Sequence, residues 1–401
     1  MNEKRNYNNS AARRNEIMPF AVTYLIDRPS RSETFIQREL EQLRRRNWTI
    51  YTRLLSGGSE SLRFAFFSCP EGFRIRFFKA ACTRISQEIL RNPLTALRII
   101  KRLPQTAFLI KKVSETDSRL IHSQFAGITA DLAEIAAKTL GINWTCSVHA
   151  HDIFSTSPAQ TARRLKNAAA VAACSEEVKN ATVEAGIDED KITLIHHGLP
   201  INDFQLNTIR PEEFIFAACR LTEKKGIDSL IRACAVLRDN GLETPCIIAG
   251  NGSELIKLKK LCKALDLTDR VLFKGWQSQE EVRNYIRNAV TTVLPSRRTK
   301  AGDRDGIANI LVEALAIGTP VITTTAGAAG EIIEDGRNGL LVEPDNHIAL
   351  AKAMTKVIQS GTLRLRMINE GRKTAEDVFD GAANIHKLEK LFEAAILKSL
   401  P

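Results

Sequence analysis

The chain has 401 residues, 44% hydrophobic and 26% charged, with a formal net charge of +11; this suits two domains with cores of their own and excludes fibrous and disordered chains. Eight cysteines lie scattered without a Cys-x-x-Cys pair, which excludes a disulfide framework and points to buried thiols in a reducing compartment. No apolar run approaches the ~20 residues of a membrane-spanning helix, and the polar first seventeen residues carry no signal-peptide core, so a cytoplasmic location is expected.

Residues 1–17 are rich in Asn, Arg and Glu without periodicity and are expected to form a disordered tail. An apolar run at 20–26 leads through a polar turn at 27–32 into helical spacing at 33–45, a β-turn-α start. Between 61 and 113, eleven Lys/Arg stand against only Glu71 and Glu88, a local charge of +9. Arg63, Arg74, Arg76, Lys79 and Arg84 interleave there with Phe64, Phe66, Phe67, Phe73, Phe77 and Phe78. That composition suits an anionic membrane surface. Nucleic acid offers the same charge, and a pair of amphipathic helices with core-facing aromatics and solvated basic groups satisfies the pattern as well.

Strands at 120–122, 144–148 and 171–174 then alternate with helices at 130–140 and 176–185. Turn formers without a periodic face place a linker at 198–212. A second series follows, with strands at 214–219, 246–249, 271–273, 291–294 and 321–323 and a helix at 226–239. Residues 347–400 are amphipathic and helical, broken near Phe379 and Gly381. This rhythm predicts an α/β protein of two doubly wound parallel-sheet domains.

The richest chemistry lies in 303–320, which reads as a loop, a helix and a Gly-Thr-Pro stop just after the strand at 291–294. The helix start therefore faces the carboxyl edge of a parallel sheet, where open α/β folds bind ligands. The amides of Ile307, Ala308 and Asn309 favour an anion there, and Asp305 and Glu313 are spaced to reach different hydroxyls of one elongated ligand. An N-capping Asp with an exposed helical Glu fits equally well. At a second strand end, Arg220-Leu-Thr-Glu-Lys-Lys-Gly226 supplies a planar cationic fork at Arg220 and a point charge at Lys225 suited to a diphosphate. A solvated loop paired to Glu223 is the alternative. A third strand runs into the glycine-rich turn Gly250-Asn251-Gly252, a pattern that also serves merely to reverse a chain.

These segments together with Ile248-Ala-Gly-Asn-Gly252, Val271-Leu-Phe-Lys-Gly-Trp276, Leu294-Pro-Ser296 and Asn338-Gly-Leu-Leu-Val342 resemble, in order and spacing, a large family of retaining glycosyltransferases of GT-B fold, family 4. Pro29-Ser-Arg-Ser-Glu-Thr-Phe-Ile36, Ile121-His-Ser-Gln-Phe125 and Ser147-Val-His-Ala-His-Asp-Ile-Phe154 resemble its exopolysaccharide and colanic-acid branch. The segment from Ile195-His-His-Gly198 to Asp203-Phe204 is similar to the one that closes the family's first domain.

The resemblance implies two Rossmann-like domains about a cleft: an acceptor-binding domain at 18–205, a nucleotide-sugar-binding domain at 206–380, and a last helix at 381–401 that crosses back to the first. It further implies that Arg220 and Lys225 bind the donor diphosphate, Glu313 the ribose hydroxyls and Asp305 sugar hydroxyls. The amides of Gly306, Ile307, Ala308 and Asn309 would meet the sugar or distal phosphate, while Gly250, Asn251, Gly275 and Trp276 would lie about the nucleotide. His149 would face the anomeric region from the first domain, so the catalytic set is His149, Asp305, Arg220 and Lys225. The donor is UDP- or GDP-linked, the acceptor a glycan or lipid-linked hydroxyl. No cofactor, metal or nucleic acid is expected, and contact with an anionic membrane would place the protein at its cytoplasmic face.

Two departures stand out. The family's paired acids are usually both Glu, whereas the first here is Asp305, and the first loop carries Ser30-Arg31-Ser32-Glu33 where paired glycines are common. Gln124 also replaces a His often found two residues after the His122 position. Two rival functions share the fold: a sugar-nucleotide 2-epimerase, which needs further acids in the first domain, and a non-catalytic partner subunit that lost turnover through Asp305. A dinucleotide dehydrogenase is excluded, because no Gly-x-Gly-x-x-Gly follows the first strand.

Overall fold

The computed structural model describes residues 21–26, 34–54, 69–206 and 214–398. The tail at 1–17, the turn at 27–32, Arg63, Phe64, Phe66, Phe67 and linker residues 207–212 lie outside the described residues.

Among those described, strands β1 (Ala21–Ile26), β2 (Thr49–Leu54), β3 (Ser118–Gln124), β4 (Asn143–Val148), β5 (Ala170–Ala173) and β6 (Ile192–Leu194) form a parallel sheet in the order β2-β1-β3-β4-β5-β6. Strands β7 (Ile215–Ala218), β8 (Cys246–Ala249), β9 (Val271–Gly275), β10 (Thr291–Leu294), β11 (Val321–Thr324) and β12 (Leu340–Val342) form the other, ordered β12-β11-β10-β7-β8-β9. This is the GT-B arrangement of two doubly wound α/β units. The all-buried strands β1, β10 and β11 are covered on both faces, as a parallel sheet requires.

Helices α1 (Thr34–Arg45), α2 (Arg74–Ile89), α3 (Pro93–Ser114), α4 (Ile128–Leu140), α5 (Ala150–Phe154), α6 (Pro158–Leu165) and α7 (Glu176–Glu184) flank the first sheet. The second carries α8 (Ile227–Asp239), α9 (Leu255–Ala264), α10 (Gln279–Asn288), α11 (Asn309–Ile317), α12 (His347–Gln359) and α13 (Gly361–Phe379). The final helix, α14 (Gly381–Leu397), places Ile385, Leu388, Leu391 and Phe392 in one apolar cluster with Val22, Tyr24, Ile36 and Leu40 of the first unit. Among the polar contacts that span the units, three involve charged groups near the cleft. Arg38 meets Glu313 at 2.6 Å, Arg304 meets Glu177 at 2.6 Å, and the Glu331 carboxylate accepts from the α7 amides of Glu176 and Glu177 at 2.8 and 2.7 Å.

The basic aromatic segment is a helix pair, and not all of it is surface. Phe77 is core and Arg84 is buried, 3.1 Å from Glu88, 2.5 Å from Asp131 and 3.4 Å from Glu134. The helical repeat explains the correction, because positions 77, 80, 81, 84 and 88 share one face, and α4 supplies Asp131 and Glu134 opposite it. Ile75, Phe78, Leu90, Leu94, Leu97 and Phe108 remain exposed.

Candidate active site

The second unit's β7 stops at Ala218, and the chain leaves the sheet edge through Arg220. A single 3-10 turn, Glu223–Lys225, follows and ends at Gly226, whose φ is +63°. A Cβ at Gly226 would lie 1.9 Å from the Pro295 carbonyl oxygen, so only glycine lets this turn press against the end of β10. That contact brings Lys225 Nζ to donate to Asp305 Oδ2 at 2.7 Å, where the Ser296 hydroxyl also donates at 2.7 Å. Lys224 lies 3.1 Å from Asp303 and 3.7 Å from Asp305. Gly327 (φ +69°) seals the loop from behind, its absent Cβ 2.1 Å from the Asp305 carbonyl oxygen. Burial alone would raise the Asp305 carboxyl, but Lys225, Lys224 and the Ser296 hydroxyl outweigh it and hold the group below the usual carboxylate range.

Helix α11 begins at Asn309 with Ala308 as its N-cap. The amides without an intrahelical partner are thus those of Ala308, Asn309 and Ile310, one residue later than the sequence suggested. Arg220, Lys225, Asp305 and residues 306–310 line one cleft of about 490 Å³.

The opposite wall comes from the first unit: Phe35, Phe125, His149, Ala150, His151, Cys174 and His197. His149 ends β4 and caps α5, its amide donating to Asp152 Oδ2 at 3.1 Å. Its ring stacks on His197 at 5.1 Å and meets Phe125 at 4.6 Å. Burial, with smaller contributions from His197 and His122, pushes the His149 imidazole well below its ordinary value, so it is neutral at pH 7. Behind it, Gln124 Oε1 lies 3.4 Å from His149 Nε2 while Gln124 Nε2 donates to Glu39 at 2.6 Å. The ligand-type atoms of His149, Cys174 and His197 all lie within 4.8 Å of one another, a set suited to a soft cation.

Burial raises the Glu39 carboxyl to about 7, against the neighbouring Tyr24 hydroxyl and the Gln124 hydrogen bond, which lower it. A carboxyl raised on folding adds stability below its unfolded value near 4.5, and that contribution disappears as pH rises through about 7. Urea melts of the native protein at pH 5 and pH 8 should therefore differ by on the order of 3 kcal/mol more than those of Glu39→Gln; equal pH dependence in the two proteins refutes the assignment.

Not every expected residue reaches the cleft. The Glu313 carboxylate is buried against Arg38. Gly250, Asn251, Gly275 and Trp276 gather instead at the ends of β8 and β9, where the Gly250 amide donates to the Gly275 carbonyl at 2.6 Å and Trp276 is half exposed. Sequence reasoning missed Arg38, Glu39, Cys174 and His197. Of these, His197 alone sat in a quoted motif, Ile195-His-His-Gly198; the others lie on elements whose facing partners no local pattern reveals.

Two doubly wound sheets facing across a cleft with one cationic wall define a GT-B glycosyltransferase. Residues 32–203 match the family described as Glycosyltransferase Family 4, and residues 200–374 the one described as Glycosyl transferases group 1. The chain belongs to glycosyltransferase family 4. It is 26% identical over 298 residues to an amylovoran biosynthesis glycosyltransferase of Erwinia amylovora, covering 73% of each chain. It is also 30% identical over 214 residues to a glycosyltransferase assigned to colanic acid biosynthesis in Escherichia coli K12, covering 52% of each, so it spans about half the length of that relative. Among solved structures, Anabaena HepE in complex with UDP-glucose shares the fold, with a TM-score of 0.70, 19% identity and coverage of 93% of this chain and 99% of that one.

Proposed function

We propose that this glycosyltransferase moves a sugar from a nucleoside diphosphate to an acceptor hydroxyl with retention of anomeric configuration and without a resident metal. The observation that carries this reading is the convergence of Arg220, Lys225 and the α11 amides on one cleft. As the glycosidic bond breaks, negative charge grows on the departing diphosphate, and these donors are already in place for it. Each charge-assisted bond contributes about 1.5–3 kcal/mol. Lys225 is shared between Asp305 and the diphosphate, so Asp305 keeps the lysine in position and turns toward sugar hydroxyls. Glu313 takes the ribose hydroxyls, and the β8 and β9 ends lie about the base. The neutral His149 faces the anomeric region from across the cleft as a hydrogen-bonding group rather than a cation. Binding of UDP-glucose by Anabaena HepE favours a UDP-linked donor over a GDP-linked one.

A thermal-shift and hydrolysis screen over UDP-glucose, UDP-galactose, UDP-N-acetylglucosamine, GDP-mannose and GDP-fucose tests the reading, which fails if none stabilises the protein. Activity should persist in EDTA; complete loss restored by a divalent ion removes the metal-free mechanism.

The acceptor is presented at the inner face of the cytoplasmic membrane. Support comes from exposed Ile75, Phe78, Leu90, Leu94 and Leu97 beside Arg76, Lys79, Arg98 and Lys101 on α2 and α3, a basic apolar surface of the interfacial kind. No described helix is long and apolar enough to cross a membrane. Sedimentation with anionic vesicles at low salt should carry the protein down and release it at high salt; absence from the pellet at low salt rejects this contact.

A further inference from the structure

Strands β4, β5 and β6 are neighbours in the first sheet, and the chain leaves each of them through a metal-binding side chain. His149 follows β4, Cys174 follows β5, and His197 lies shortly beyond β6. Adjacent strands run ~4.7–4.9 Å apart, so the backbone itself gathers the three residues at one carboxyl edge, where their ligand atoms lie within 4.8 Å of one another. His149 and Cys174 are buried, His197 is partly so, and all three line the wall of the cleft that faces Arg220 and Lys225. Neighbouring contacts hold them there. His196 Nδ1 donates to the Cys174 carbonyl at 3.0 Å and ties the His197 segment to the end of β5. Gln124 Oε1 stands 3.4 Å from His149 Nε2. Phe35 packs on both rings, 4.0 Å from His197 and 5.2 Å from His149. Burial keeps both imidazoles neutral at pH 7, the form in which histidine binds a metal.

We infer that His149, Cys174 and His197 form a binding site for a zinc-class cation, and that its occupation arrests sugar transfer. One thiolate and two imidazoles are a donor set for zinc with a fourth position left open, and the sulfur selects against the hard cations magnesium and calcium, which take oxygen ligands. A tetrahedral zinc ion holds sulfur and nitrogen ligands ~3.3–3.6 Å apart. Side-chain movements of about an ångström therefore close the set while the strand ends stay in place. The Cys174 proton leaves to solvent as the sulfur–metal bond forms, and nothing is oxidised or reduced. Bound zinc takes the His149 ring into its own coordination and so removes it from the anomeric region. Arg220 and Lys225, on the opposite wall, are left free for the diphosphate. The cation is thus a brake on the reaction and not its catalyst, and the metal-free protein is the active form. The arrest rests on the proposed transferase reading, whereas the site itself does not.

The test begins with protein stripped by EDTA and then freed of the chelator. Zinc followed by calorimetry should bind as one ion per chain, weakened at least tenfold in Cys174→Ser and in His197→Gln. Cobalt in its place should give the charge-transfer absorption of a thiolate–cobalt bond, lost in Cys174→Ser and kept in Cys82→Ser, which alters an exposed thiol elsewhere. No zinc bound, no thiolate band in the wild-type protein, or zinc binding unchanged in both ligand variants at unaltered Tm overturns the site. UDP and GDP titrated into the metal-free protein examine the transferase reading by itself; failure of both to bind removes that reading and leaves the zinc result standing. With the donor found by screening, saturating zinc should lower turnover at least tenfold, and EDTA should restore it. Full turnover in the zinc-saturated protein overturns the arrest, as does zinc inhibition of Cys174→Ser, relative to its own metal-free rate, at the concentration that inhibits the wild type.

Discussion

Arg220→Ala is expected to lower kcat/KM by ~10²–10³-fold, the effect of deleting one preorganised donor at a developing negative charge, while leaving Tm unchanged to within about a degree. The two halves of this expectation come from different observations. Arg220 lines the cleft beside Lys225 and the α11 start, so its guanidinium is available to the departing diphosphate. Yet it is exposed and forms no ion pair with any described residue, so its removal leaves no buried partner unsatisfied. Lys225 differs, because it is the main counter-charge of buried Asp305. Lys225→Ala should cost activity and stability together. Steady-state kinetics with the donor identified by screening, beside thermal melts of both variants, checks this. An Arg220→Ala enzyme within threefold of wild type means that the diphosphate does not lie against this loop.

Much of the scaffold was legible because parallel strands covered on both faces read as short apolar runs. The strands at 246–249 and 291–294 were placed at their true ends, since each is closed by a turn former or a proline. Short edge strands were not: β2, β6 and β12 have at most three clearly apolar residues in a run, and their pairing comes from the neighbouring strand rather than from their own pattern. Arg84 was misplaced for a related reason. Composition counted it as surface charge, and only its helical phase, together with Asp131 and Glu134 some fifty residues on, makes burial tolerable. In the site, the two strand-end loops could be read because ligand chemistry concentrates at the carboxyl edge. The Glu39–Gln124–His149 chain could not, because it joins α1, β3 and β4 through side chains with no fixed spacing.

The same geometry accounts for Asp305 where the family more often has glutamate. The carboxylate already reaches Lys225 and Ser296 at 2.7 Å each, and Gly327 packs directly on its backbone. The shorter side chain therefore meets its partners without a gap, and its low carboxyl value keeps it ionised throughout the neutral range. A loss of turnover through this substitution has no geometric basis here.

Glu313→Ala and Arg38→Ala should diverge in donor binding while both lower stability. Their side chains are only 9% and 10% exposed and pair at 2.6 Å across the two units, so removing either strands the other, a loss of about 3–5 kcal/mol for a fully buried pair. Arg283, which stacks on Phe204 at 4.4 Å and lies in the field of Glu313, softens the loss in Arg38→Ala by giving the carboxylate another cation. Donor binding separates the partners. If Glu313 takes the ribose hydroxyls, Glu313→Ala weakens the nucleotide by ~10–100-fold, the effect of hydrogen bonds to a charged group. Arg38 competes for the same carboxylate when no donor is bound, so Arg38→Ala binds the nucleotide at least as tightly as wild type. Calorimetry on the two single variants and the double decides this. Equal weakening by both single substitutions makes the ion pair a closure contact that the donor needs, and the ribose must then be sought elsewhere along the edge formed by β8 and β9.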